Sequence, residues 1–178
     1  MKSKIFLSVF ITFIMVSSIL GYMIGNGDSS VKYQGYKFTQ IDNGWVANIN
    51  KEQIMISENP RNFEEIDMQD LEFSYLNSMG KIYLALNPED NLDQGLQLFS
   101  LNILSKLKVP IVRACIDDSE ECSELPLKSC ADANSNTFVL IIKRGVKLSS
   151  YDNNCLTIQG NSEEVLKYLD KLTLNLLI

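Results

Sequence analysis

Histidine is absent from all 178 positions of the chain. That absence removes Ser-His and Cys-His nucleophile pairs, zinc sites built on imidazole, and the side chain that titrates nearest neutrality. Several short catalytic motifs are also missing: there is no Gly-rich phosphate loop, no Gly-x-Ser-x-Gly and no His-Glu-x-x-His. No Asn-x-Ser/Thr triplet occurs, so N-glycosylation is not expected. Basic residues are in the minority, 16 against 22 acidic, for a formal net charge of −6. Polyphosphate binding depends on Lys and Arg releasing counterions, so this balance argues against nucleic acid and anionic lipid headgroups as partners.

Charge is also missing from one long stretch. No charged residue occurs between Lys4 and Asp28, and Ile5 to Ile24 make 20 uncharged, mostly apolar residues. At about 1.5 Å per residue, a helix of that length covers the roughly 30 Å hydrocarbon core of a bilayer. A cleaved secretory signal has a shorter apolar stretch, about 7–15 residues, and a small-x-small cleavage site. The longer stretch and the lack of Ala-x-Ala favour a retained signal-anchor over residues 1–25, a transmembrane helix; secretion after cleavage is the alternative. Lys2 and Lys4 precede the span, so the positive-inside rule leaves the N-terminus cytoplasmic and puts the remainder outside the cell membrane. Residues 26–30, small and polar, read as a flexible linker. Residues 31–178 then form a single extracytoplasmic domain with enough chain for its own core.

Within that domain Tyr36 and Phe38 alternate with polar residues, "DNG" at 42–44 is a hairpin signal because Asn-Gly accepts positive φ, and "WVANI" supplies the return strand. A third short strand is expected at Gln53 to Ile56. The following segment fits neither period well and reads as a loop, then a strand near Leu71 to Leu76. "IYLALNP" and "VPIVRACI" read as buried strands, with Leu96, Phe99, Ile103 and Leu107 at helical spacing between them, which implies a parallel pair with a right-handed crossover. "TFVLIIKRGVKLSSYDNNCLTIQG" reads as two or three antiparallel strands turning at Arg144-Gly145 and at Asp152 to Asn154. A terminal helix follows, with a capping box from Asn161 and Glu164 and an apolar stripe of Val165, Leu169, Leu172 and Leu176. The expected fold is therefore α/β (α+β): a mixed β-sheet with an N-terminal β-hairpin, one βαβ crossover, a C-terminal hairpin and a terminal helix.

Four cysteines, Cys115, Cys122, Cys130 and Cys155, are spaced Cys-x6-Cys-x7-Cys-x24-Cys. A structural zinc site uses two short Cys-x2-4-Cys knuckles, and neither exists. A redox dithiol wants a stabilised thiolate, but Asp117, Asp118, Glu120, Glu121 and Glu124 surround the first pair and disfavour one. Structural disulfides are the expectation for an even count in an exported domain. Three connectivities are open, and strand placement favours Cys115 with Cys122 and Cys130 with Cys155.

"YQGYKFTQIDNGWVANIN" behind one apolar N-terminal segment, with "CSELPLKSC" and "NNCLTIQGN" further on, resembles a group of small archaeal membrane-anchored or secreted proteins of unknown function. The resemblance implies an extracytoplasmic archaeal protein and no activity. Strand, helix, strand, then hairpin and terminal helix is also similar to the thioredoxin fold. However, "LNPEDNLDQ", where a thioredoxin-like enzyme would carry Cys-x-x-Cys, has no cysteine.

Tyr33, Tyr36, Phe38 and Trp45 gather on the first hairpin and are candidates for stacking on sugars or peptides, against ordinary cross-strand packing. Asp117, Asp118, Glu120 and Glu121 are weak calcium candidates, against a solvated acidic loop. Asn91 or Asp93 is expected to cap the helix that follows rather than to ligate a cation. No cofactor is expected. The function these features point to is a non-catalytic, membrane-anchored interaction module for another envelope protein or an extracellular ligand. The alternatives are an extracytoplasmic thioredoxin-like thiol-disulfide protein and a calcium-dependent or carboxylate-based hydrolase.

Overall fold

Four antiparallel strands, β1 (Ser30–Tyr33), β2 (Tyr36–Ile41), β3 (Gly44–Ile49) and β4 (Glu52–Ile56), form a meander in spatial order β1-β2-β3-β4. The protein is described here by a computed structural model covering residues 29–178 except 69, 70 and 91, with backbone alone at 93 and 94. The apolar N-terminal run and most of the linker expected at 26–30 lie outside the described residues, as does Asn91. Among the described residues no helix is long and apolar enough to cross a membrane.

Two-residue turns at Gln34-Gly35 and Asn50-Lys51 set both central residues at positive φ, which matches the right-handed twist of the strands they join. The turn between β2 and β3 differs from its expected form. Ile41 pairs with Gly44, so Asp42 and Asn43 are its centre, and Gly44 alone takes positive φ, at +150°. Period-two alternation puts Trp45, Ala47 and Ile49 of β3 on one buried face with Ile54 and Ile56 of β4. Phe63, in the 3-10 turn Pro60–Phe63, completes this core with Tyr33 and Phe38.

The second sheet comprises β5 (Lys81–Leu86), β6 (Ile111–Cys115), β7 (Thr137–Arg144), β8 (Leu148–Asp152) and β9 (Cys155–Gly160), in order β6-β5-β7-β9-β8. Three helices accompany it: α1 (Phe73–Ser78), α2 (Asp93–Asn102) and α3 (Ser162–Leu177). The βαβ crossover appears as β5, α2 and β6, and the C-terminal hairpin as β8 and β9 turning at Asn153-Asn154. Two expectations are corrected. The segment near Leu71 to Leu76 forms α1, not a strand. The strands on either side of Arg144-Gly145 do not pair: β9 lies between β7 and β8 and runs parallel to β7. The reason is burial. Thr137 to Ile142 are buried on both faces and need a central, parallel position, whereas β8 has alternating exposed residues and tolerates the edge. β7 also runs parallel to β5, a departure from the thioredoxin-like order, in which the closing hairpin opposes the first strands.

One face of this sheet, with Ile82, Leu84, Phe138, Leu140, Ile142, Leu156 and Ile158, packs against Phe99 and Ile103 and against Val165, Leu169, Leu172 and Leu176 of α3. The Asn161 capping box with Glu164 starts α3, as its sequence predicts. The helix carries a second buried face as well, and its Leu174 enters the core of the meander. α3 therefore joins both sheets. The other face of the five-stranded sheet, with Ala85, Val139, Ile141 and Cys155, is covered by the connection from β6 to β7.

Candidate functional site

Cys115 at the end of β6 is bonded to Cys122, and Cys130 to Cys155 at the start of β9, with Cα–Cα separations of 6.0 and 5.2 Å. No free cysteine remains. Cys115, Cys122 and Cys155 are buried, while Cys130 is exposed with its sulfur 3.7 Å from the Thr157 hydroxyl. The first bridge folds "IDDSEE" back on the strand it leaves, and the second pins the β6 to β7 connection across the sheet.

Cys115 of the first bridge borders a cleft. The chain leaves β5 toward the helical face and leaves β6 toward the opposite face, so the two connections part above the carboxyl ends of adjacent parallel strands. Open α/β sheets place ligands in crevices of this kind. The cleft here has a volume of about 390 Å³. Its apolar wall is Leu86, Pro88, Leu92, Leu96 and Leu125, and its charged groups are Arg113 and Glu121. Arg113 also borders a neighbouring open depression with Gln97 and Leu101, the latter 68% exposed. Arg113 is exposed and has no ion-pair partner among the described residues.

A larger cleft of about 530 Å³ lies at the start of α3. Arg61, Lys147 and Lys167 interleave there with Glu65, Glu163 and Glu164. Lys167 donates to Glu163 at 2.5 Å, and this hydrogen bond holds the carboxyl below and the ammonium above their usual ranges. Glu164 is occupied in capping Asn161. The lining of this larger cleft is almost wholly polar, whereas the smaller cleft has a leucine-rich wall with two charged groups set into it, so the smaller cleft is the better candidate.

The residues expected to carry a site fare differently. Tyr33, Phe38 and Trp45 are buried and Tyr36 is half-buried. Tyr33 meets Phe38 edge-on at a 6.4 Å centroid distance, and Lys171 of α3 lies over the Tyr33 ring at 5.9 Å. Tyr33, Phe38 and Trp45 belong to the core of the meander, with Tyr36 packed at its margin. Asp117, Asp118, Glu120 and Glu121 are exposed, and among the described residues no three His, Cys, Asp or Glu side chains gather closely enough to hold a metal ion. The N-cap of α2 is Leu92, without a side-chain hydrogen bond, and Asp93 is the first helical residue. A carboxyl with a strongly raised pKa does exist, Asp170, pushed up to about 6 by burial, but it sits between α3 and β4, away from both clefts.

Arg113 and its leucine neighbours were not singled out by the sequence pattern. A usable signal was present: one arginine inside the β-branched run "VPIVRACI" marks an edge strand, since a fully enclosed strand excludes charge. The chain matches no known protein family, no curated protein and no solved structure.

Proposed function

We propose that this protein is a membrane-anchored, extracytoplasmic binding module without catalytic activity, whose ligand is another envelope protein or an extracellular molecule engaged at the cleft beside β6. The observation that carries the reading is the cleft itself, a leucine-rich wall with Arg113 and Glu121 set into it at the carboxyl ends of adjacent parallel strands, where α/β sheets bind ligands. Support for the location comes from the uncharged run Ile5 to Ile24 and from cysteines that are all oxidised. The histidine-free composition and a cleft holding one arginine and one glutamate leave no nucleophile and base pair there. A thiol-disulfide activity would have to start at Cys130, whose partner Cys155 is buried.

The test is site-resolved photocrosslinking on native membranes. The full chain with a photoreactive residue in place of Gln97, in the depression that shares Leu96 and Arg113 with the cleft, is expected to yield a discrete adduct that Arg113→Glu weakens about tenfold. The same residue in place of Lys37, on the meander, is expected to yield none. Adducts equal at both positions, or absent at Gln97, would overturn the reading. Protease added to intact cells should degrade the domain; protection would overturn the location.

A further inference from the structure

β6 is the outermost strand of its sheet and is paired on one side only. Its hydrogen-bond phase can be read from its two ends. Ile82 donates to the Pro110 carbonyl at 2.9 Å and Ile116 donates to the Leu86 carbonyl at 3.2 Å, so residues 110, 112, 114 and 116 direct their backbone groups toward β5. Residues 111, 113 and 115 direct theirs outward. At Cys115 the outward groups are used by the chain itself: its N–H donates to the Pro126 carbonyl at 2.9 Å, and its carbonyl accepts from Lys128 at 2.8 Å. Leu127 thereby makes one parallel bridge to Cys115, and the sixth strand stops there. Ile111 and Arg113 are left with an outward N–H and C=O each, in line with a strand the protein has begun and not continued.

We infer that β6 receives an extended peptide segment of a partner protein, which adds as a strand beside Ile111–Arg113 and sets an acidic side chain against Arg113. The inference rests on the binding-module reading and names the partner's chemistry. Free edge groups supply backbone hydrogen bonds, and pockets for alternate side chains supply selectivity. Here the helical face offers such a pocket, between Leu96, Leu101 and Arg113. Charge selects the occupant. Along β6 itself, Ile111–Cys115, Arg113 is the one charged residue, ahead of the acidic run that begins at Asp117. A second copy is disfavoured, because antiparallel pairing of two β6 edges brings Arg113 of each near the other. Glu121 lines the same cleft as Arg113 and disfavours a second acid on the guest.

The experiment uses the full chain in detergent with its disulfides intact. The probes are fluorescein-labelled octapeptides of alternating Thr and Val with a central Glu, Gln or Lys. Two further Glu peptides are N-methylated at alternate backbone nitrogens, one along each edge. The Glu peptide is expected to bind at least about tenfold more tightly than the Lys peptide. One N-methylated peptide should lose binding and the other retain it, because a strand docks by a single edge. Arg113→Glu should reverse the charge preference, and its unchanged melting temperature would show that the fold persists. Three results would overturn the inference: no binding of any peptide at millimolar concentration, indifference to N-methylation on both edges, or a concentration-dependent dimer abolished by Arg113→Pro, which removes an outward N–H. Should photocrosslinking at Gln97 succeed while the N-methylated peptides bind alike, strand addition falls and the binding module stands.

Discussion

Asp170 of α3 and Ser57 at the end of β4, 113 residues apart, are joined through a single carboxylate oxygen. Asp170 Oδ2 accepts from the Ser57 backbone N–H at 2.9 Å, from the Ser57 hydroxyl, and from the Glu58 N–H at 3.2 Å. The residue is 2% exposed and has no cation beside it among the described residues. Three donors favour the charged form, yet burial outweighs them and the nearby Glu58 charge opposes ionisation, so the pKa rises from 3.8 to about 6.

The sign of the resulting pH dependence follows from linkage. Between pH 3.8 and about 6 the folded state holds a proton on Asp170 that the unfolded chain has released, so stability falls as pH rises through that window. The contribution is fully present below the unfolded value and lost above about 6, on the order of 3 kcal/mol in all. Asp170→Asn removes this titration. Urea denaturation of both proteins at pH 4 and pH 7 is expected to show the native chain gaining on the variant by most of that amount at the lower pH. An equal difference at the two pH values would refute the assignment.

The two disulfides should contribute unequally. Loop closure over the 25-residue separation of Cys130 and Cys155 predicts about 3.5 kcal/mol, and over the 7-residue separation of Cys115 and Cys122 about 2 kcal/mol. Paired Ser substitutions followed by denaturant titration measure both. The native, unreduced protein should release no colour from an aromatic disulfide reagent before or after denaturation, since all four thiols are bonded.

Gly44 is the most constrained glycine of the meander. A Cβ there would meet the Ile56 carbonyl oxygen at 2.3 Å, and its φ of +150° is foreign to L side chains. Gly44→Ala must therefore push β3 away from β4 or twist the turn, with an expected loss of about 2–4 kcal/mol in denaturant titration. Gly35, with positive φ but nothing within 4 Å of a Cβ, should lose only about 1 kcal/mol on the same change.

Local pattern and local chemistry were legible residue by residue. Alternation found β2, β3 and β4 but not β1, the 3.6 period found α2 and α3, and Asn161 with Glu164 located the start of α3. The acids around Cys115 and Cys122 pointed to a bridge and not a thiolate. The pattern failed at α1, which is six residues long and too short for a period to register. It also failed at the pairing of β7: an apolar run on both faces signals a central strand, but which strands flank it depends on chain segments far away.

The sequence alone determined the oxidised, histidine-free chemistry, the identity of most elements and the apolar stripe of α3, because those depend on residue type and spacing over a few turns. Only the tertiary structure decided that β9 inserts beside β7, that aromatic residues on the meander turn inward, and that Arg113 stands alone at an open edge. Each of those outcomes is a choice among long-range pairings. Burial of apolar area on both faces of a sheet decides among them, and no local window of the chain contains that quantity.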